Sequence, residues 1–379
     1  MPGLLDIVGQ DAALAQLERL VAAGRRPHAF VFAGPEGVGR RTTAVEFARL
    51  LLCEQPARRP NAGRLAELPE DFPLQQGCGA CSSCRALTAG THPDLHIVYR
   101  QLARYHDDSK VRARVMQDLG IDVVRQFLIA PAYRASSAGR GKVFVVRETE
   151  LMSDAAQNAL LKTLEEPPEG VTIILICTSV IELLPTTRSR CQTVRFGPLP
   201  REFVTAALQA QGIEPAEARF WAGMTEGSVG RAAQLAAEDL YEFKRRLVDS
   251  LAGLTLSGSA SLAERLVKTM EKLGKRRQSR DEGLAGTLAN RQAGQMLLEL
   301  IAGVYRDAMA VACGADKPLI HADQPEAIAR IAEHFGAEAL AEILTQLGRF
   351  EQLLWRNLNA KILWDNLAAT CATAAPLEV

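Results

Sequence analysis

Apolar residues follow two rhythms along the chain, and the change from one to the other divides it. In the first half, short apolar runs alternate with stretches of helical spacing. The runs His28 to Ala33, Leu95 to Tyr99, Lys142 to Val146, Val171 to Cys177 and Thr193 to Phe196 are short and rich in β-branched and aromatic residues, which predicts buried strands. Between them lie helical patterns, the clearest from Asp154 to Glu165, stopped by Glu166-Pro167-Pro168. Strands alternating with helices predict parallel βαβ units. After Gly197-Pro198-Leu199-Pro200 the pattern turns helical. Its apolar positions recur as Leu297, Leu300, Ile301, Val304 and Ala308, then Leu340, Ile343, Leu344 and Leu347. The expected division is an α/β module over 1–197, a helical block over 198–242 broken at Gly227-Ser228-Val229-Gly230, and an all-α domain over 243–379. Two stretches are expected as solvated inserts: Gln55 to Gln76, with its prolines, and the charged Lys272 to Glu282.

Composition adds limits. The 379 residues carry 44 Lys+Arg against 44 Asp+Glu, so bulk attraction does not drive nucleic-acid binding, and any DNA contact is local or shared with partners. No run of about 18 apolar residues and no basic-plus-apolar leader is present, so the chain is expected to be cytoplasmic, without a membrane partner. Eight cysteines in such a chain point to metal or core roles before disulfides.

Four stretches carry chemistry. Cys78-Gly-Ala-Cys81-Ser-Ser-Cys84 spaces three thiols to converge on one tetrahedral ion, with Cys53 available as the fourth ligand; a four-thiolate site has no open position, so a bound Zn²⁺ is structural. Gly34-Pro-Glu-Gly37-Val-Gly39-Arg40-Arg41-Thr42 sits between a predicted strand and helix, where a phosphate loop reads G-x-x-x-x-G-K-[ST]. Arg40 replaces the Lys and Arg41 the Mg²⁺-binding hydroxyl, and a guanidinium has no lone pair for a metal. Phosphate could still dock on the backbone N–H groups of Gly34, Gly37 and Gly39. At the end of the Lys142 to Val146 run, Arg147 takes the slot of a metal-holding Asp and only Glu148 survives. Arg188 and Arg190, on the loop from Leu184 to Cys191, read either as surface solvation or as an arginine finger for a neighbour's phosphate.

Together these residues resemble the clamp-loader subunits of bacterial DNA polymerase III, within the AAA+ ATPases, most closely the delta-prime branch. The resemblance runs through Ile7 to Gln10, His28-Ala29, Gly34 to Thr42, the cysteines, Ala89 to Asp94, Asn158 to Pro168, Leu184 to Cys191, Gly227 to Arg231 and Asn357-Leu358-Asn359. It implies an AAA+ RecA-like module with a zinc knuckle over 53–84, a small helical lid and an all-α collar that holds a ring. It further implies that Arg190 is a finger acting in trans, that Thr178 is at the sensor-1 position, and that Arg231 is in the sensor-2 region. The zinc positions fall on Cys53, Cys78, Cys81 and Cys84. Nucleotide contacts, where any survive, fall on Gly34, Gly37, Gly39, Arg40, Thr42, Glu148, Thr178 and Arg231, with ATP hydrolysis expected to be lost. The implied partners are gamma/tau motor subunits and the delta subunit, with the sliding clamp and primer-template DNA reached through the assembled complex. Two other readings stay open: an ATP-hydrolysing gamma/tau-like motor, with Thr42 or Thr43 reaching the metal, and a stand-alone zinc-containing nucleic-acid binder. The second needs a basic surface with exposed aromatics, and aromatic content is 5%.

Overall fold

The computed structural model describes residues 3–24, 27–113, 118–280, 284–356 and 359–374. The chain separates into two compact units, Met1–Pro200 and Arg201–Val379. Among the described residues no helix is long and apolar enough to cross a membrane.

The first unit is built on a five-stranded parallel sheet. Its strands are β1 (Ala29–Ala33), β4 (Leu95–Val98), β5 (Lys142–Val146), β6 (Val171–Cys177) and β7 (Gln192–Arg195), in the order β4-β5-β6-β1-β7. Between β1 and β4 lie β2 (Ala57–Pro60) and β3 (Pro73–Gln76), which form a separate antiparallel ribbon. Continuous apolar runs become strands because helices cover both faces of the sheet. The two sides of β1 divide by alternation: Phe30 packs edge-on against Phe47 of α2 (Arg40–Leu52), with ring centroids 5.4 Å apart. Val31 and Ala33 enter the opposite core with Leu160 and Leu164 of α4 (Asp154–Glu165). Two further helices complete the site's surroundings, α1 (Asp11–Ala22) and α3 (Ser82–Thr88).

The stretch from Gln55 to Gln76 is not simply solvated. Asn61 is buried at its turn, donating to the carbonyls of Leu65 and Leu68, both at 2.9 Å, and accepting the Leu65 N–H at 2.8 Å. Arg64 reaches back to the Leu5 carbonyl at 2.9 Å and to Asp11 at 2.7 Å. Leu65, Leu68 and Leu74 are buried, an apolar footing too widely spaced to register as periodicity. Glu18 of α1, fully buried, accepts the Gln75 N–H at 2.9 Å.

The second unit is helical: α5 (Arg201–Gln209), α6 (Pro215–Met224), α7 (Val229–Ala236), α8 (Tyr241–Ala252), α9 (Leu256–Arg280), α10 (Gly286–Ala312), α11 (Pro325–Leu354) and α12 (Ala360–Thr373). Leu297, Leu300, Ile301, Val304 and Ala308 line the buried face of α10, as their spacing predicts. The charged segment from Lys272 is also corrected: residues 272–280 are the last turns of α9, while Asp281 and Glu282 lie outside the described residues. Its charges misled because several turn inward. Arg277 forks onto buried Glu238 with two contacts of 2.9 Å, and Arg276 donates to the Glu238 carbonyl at 3.2 Å. Lys244 of α8 is 0% exposed, with Nζ 2.7 and 2.6 Å from the two Asp323 oxygens and 4.3 Å from the Phe220 ring centre.

Two stability predictions follow from these buried charges. Lys244→Ala strands Asp323 and should cost about 3–5 kcal/mol in denaturant unfolding, while Lys244→Met paired with Asp323→Asn should recover most of the loss. Burial pushes the Glu18 carboxyl up to about 7, against the pull of the Gln75 N–H. A raised folded-state value means that stability is lost as pH climbs from the ordinary carboxylate range through about 7. Glu18→Gln should therefore melt like wild type near pH 4.5 and be more stable by on the order of 3 kcal/mol at pH 8.

Candidate functional site

The candidate site lies at the carboxyl ends of β1, β5 and β6, where open α/β sheets place ligands. Ala33 pairs with Cys177, and the Gly34 N–H donates to the Cys177 carbonyl at 3.3 Å. A Cβ on Gly34, at φ +154°, would stand 2.2 Å from the Phe196 carbonyl oxygen, so only glycine fits. Gly39, at φ +103°, is the residue before α2 and turns the chain into it; Gly37 lies between them. The glycine turn between β1 and α2 is thus fixed by backbone requirements, and Arg40 and Arg41 follow it. Arg40 is buried, and its Nη1 donates to that same Cys177 carbonyl. Burial lowers its pKa against the charges of Glu150 and Glu36, yet a guanidinium does not shed its proton, so a fixed cation results. Thr42 is exposed, and the Thr43 hydroxyl is spent on the Gly39 carbonyl at 3.0 Å. Arg41 is exposed, with its pKa lowered by partial burial and then by the charge of Arg147.

Arg147 follows β5, with its N–H on the Val98 carbonyl at 2.8 Å and its guanidinium 5.7 Å from the Tyr99 ring centre. Glu148 adopts a left-handed backbone (φ 54°, ψ 44°) and pairs with Arg100 at 3.4 Å. A non-glycine residue held there stores roughly 1–2 kcal/mol of strain. The Thr178 hydroxyl donates to Glu182 at 3.1 Å. Burial raises the pKa of Glu150, which faces Arg40 and Thr178. The Thr178 hydroxyl thus pairs with Glu182, while the charges of Arg40 and Glu150 act on each other. Glu150 and Glu182 escaped the sequence reading. The available signal was the alternation in Arg147-Glu148-Thr149-Glu150, whereas Glu182 is brought in only by the fold.

Arg190 follows the helical turn Pro185–Arg188. Its Nε donates to Glu165 at 2.8 Å, Nη2 joins the same carboxylate oxygen, and Nη1 donates to the Thr186 carbonyl at 2.8 Å. Arg231 belongs to the second unit, on the first turn of α7; its N–H is capped by Ser228 at 3.0 Å and its guanidinium pairs with Glu299.

The thiols of Cys53, Cys78, Cys81 and Cys84 all lie within 4.8 Å of one another. Cys53 and Cys81 are 3.9 Å apart, Cys78 and Cys84 4.0 Å, close to the edge of about 3.8 Å that a tetrahedron with metal–sulfur bonds near 2.3 Å requires. Those separations are far beyond a disulfide bond. Cys53 ends α2, and Cys81 caps α3 while accepting the Cys84 N–H at 3.4 Å. Backbone N–H groups of Ala80 and Cys81 hold the Cys78 thiol down to about 6, while burial pushes the Cys53 and Cys84 thiols up. The group can hold one metal ion and is compatible with zinc.

Family models give the remaining observation. A model described as "DNA polymerase III, delta subunit" matches residues 9–200, and one for the C-terminal part of that subunit matches 266–370. The DNA polymerase III subunit delta' of Escherichia coli K12 is 31% identical over 245 residues, which cover 64% of this chain and 65% of that one. The delta' of Bacillus subtilis 168 is 24% identical across 94% of both chains. This chain belongs to the delta-prime family of DNA polymerase III clamp-loader subunits. A gamma/tau subunit of Mycobacterium tuberculosis H37Rv is 32% identical over 203 residues, 54% of this chain and 30% of that one.

Within this delta-prime-family chain, several residues that carried the resemblance are buried polar struts. Gln10 donates to the Val38 carbonyl of the loop at 3.1 Å and to Gly197 at 2.8 Å. Asp94 caps the backbone N–H groups of Ser137 and Ala138 at 2.8 and 2.7 Å. Asn357 and Leu358 lie outside the described residues. For the thiol site, elemental analysis of purified protein should find one zinc per chain, and Cys84→Ser or Cys53→Ser should lower both metal content and melting temperature.

Proposed function

We propose that the chain is a non-hydrolysing clamp-loader subunit: a stator in a ring with gamma/tau motors and a delta subunit, supplying Arg190 in trans to a motor's ATP. The observation that carries this is the Arg40 guanidinium committed to the Cys177 carbonyl, beside Arg147 in the metal-holding position. Hydrolysis of ATP needs a Lys on the outer phosphates and Mg²⁺ between them; here Arg40 stands for the Lys and is committed to the sheet, and Arg147 puts a cation where a metal-holding Asp would stand. Any nucleotide retained would rest on the backbone of Gly34, Gly37 and Gly39 near Arg40, Thr42, Glu148 and Thr178, and Arg231 belongs to the helical lid. In this reading 198–242 acts as that lid, 243–379 as the collar, and Zn²⁺ on the four cysteines as a structural pin. The sliding clamp and primer-template DNA are engaged by the assembled ring in the cytoplasm.

Similarity to gamma/tau over 203 residues favours one second reading, an ATP-hydrolysing motor. Reconstitution with motor and delta subunits separates the two. The isolated chain should show no ATP hydrolysis. Arg190→Ala should leave assembly intact and lower DNA- and clamp-stimulated turnover at the facing motor site by roughly a thousandfold. Robust hydrolysis by the isolated chain would mean that the arginine-bearing loop still works.

A further inference from the structure

We propose that Glu165 is a latch: it occupies the edge of the Arg190 guanidinium that a phosphate would take, and so sets how readily the finger is released. This rests on the reading of Arg190 as a finger. A guanidinium binds phosphate or carboxylate through two parallel N–H groups on one edge. In Arg190 the Nε and Nη2 edge converges on one Glu165 oxygen, while Nη1 is spent on the Thr186 carbonyl and, at 3.3 Å, on the Ser189 hydroxyl. All three nitrogens therefore have acceptors on this chain. The Nη1 contacts lie on the finger's own loop and can persist during engagement, whereas the Glu165 contact competes for the same edge.

The position of Glu165 supports the assignment. It is the last residue of α4, before the Pro167-Pro168 stop. A carboxylate is disfavoured at a helix C-terminus by the helix dipole, and Arg190 offsets that cost. The pair is partly open to solvent, with side-chain exposures of 32% for Arg190 and 47% for Glu165. An incoming phosphate can reach it, and the contact has the modest strength of an exposed ion pair. A latch of this kind raises the energy of engagement equally in the ground state and the transition state. It therefore changes the ATP concentration for half-saturation and leaves kcat alone.

Glu165→Gln keeps the side chain's shape and an acceptor while removing its charge. In the reconstituted ring, this variant should lower the half-saturating ATP concentration at the facing site by roughly two- to fivefold, the range of an exposed ion pair, with kcat unchanged. The difference from wild type should shrink as salt rises. In the isolated chain, the Arg190 Nε–H resonance should lose its carboxylate-bonded shift. A fall in kcat toward that of Arg190→Ala would overturn the latch, because Glu165 would then orient the finger. So would unchanged saturation with a changed resonance, because the contact would then have no bearing on engagement. An unchanged resonance would mean that the pair does not form. Arg190→Ala in the same ring separates the two failures: full activity there removes the finger itself, whatever the resonance reports about the pair.

Discussion

One carbonyl oxygen ties the site together. Cys177 ends β6, and its C=O accepts both the Gly34 N–H and the Arg40 guanidinium. The first bond continues the pairing of β1 with β6 and fixes where the loop begins. The second takes the side chain that in a phosphate loop would be free to meet its ligand and fastens it to the sheet. An oxygen with two lone pairs accepts both donors, so the Arg40 side chain closes the cradle from inside. Glu150 feels the field of that cation: burial raises the pKa of Glu150, and Arg40 opposes the rise.

How much of this was legible depends on range. The five strands were readable because residues such as Ile173 to Ile176 are buried on both sides of the sheet and so form unbroken apolar runs. The cysteines were readable because metal geometry imposes spacing on sequence, and the fold adds Cys53 by ending α2 beside them. The ribbon before Cys78 was not. Its stability comes from Asn61 and Arg64, whose partners lie at a turn and in the N-terminal segment, and pattern within a window does not register such bonds. The charged end of α9 failed for a related reason, since Arg277 is indistinguishable in sequence from a solvated neighbour until Glu238 is placed beneath it. Glu182 likewise becomes part of the site only when the turn after β6 folds back on Thr178.

Polar residues that look like recognition groups often prove to be joints. Gln10 spans the loop and Gly197, Asp94 closes the approach to β5, and His28 meets the Leu164 carbonyl at 2.7 Å at the end of α4. Each is a hydrogen bond between segments distant in sequence, buried for Gln10 to Val38 and part-buried for the rest. Loss of any one leaves a desolvated partner behind, which costs more than the bond contributes. The family signature thus records the frame that holds a site as much as the site itself.

The helix α2 has consequences of its own. It starts at the glycine turn of the loop and ends at Cys53 among the thiols, with Arg49 donating to Thr88 of α3 at 2.8 Å near that end. Mechanically it is a beam clamped at both supports: sheet and Arg40 at one, thiol cluster and α3 at the other. A beam held this way transmits load without pivoting. Any displacement imposed on the loop must be absorbed by residues 34–39, and the helix behind them stays in register with the sheet.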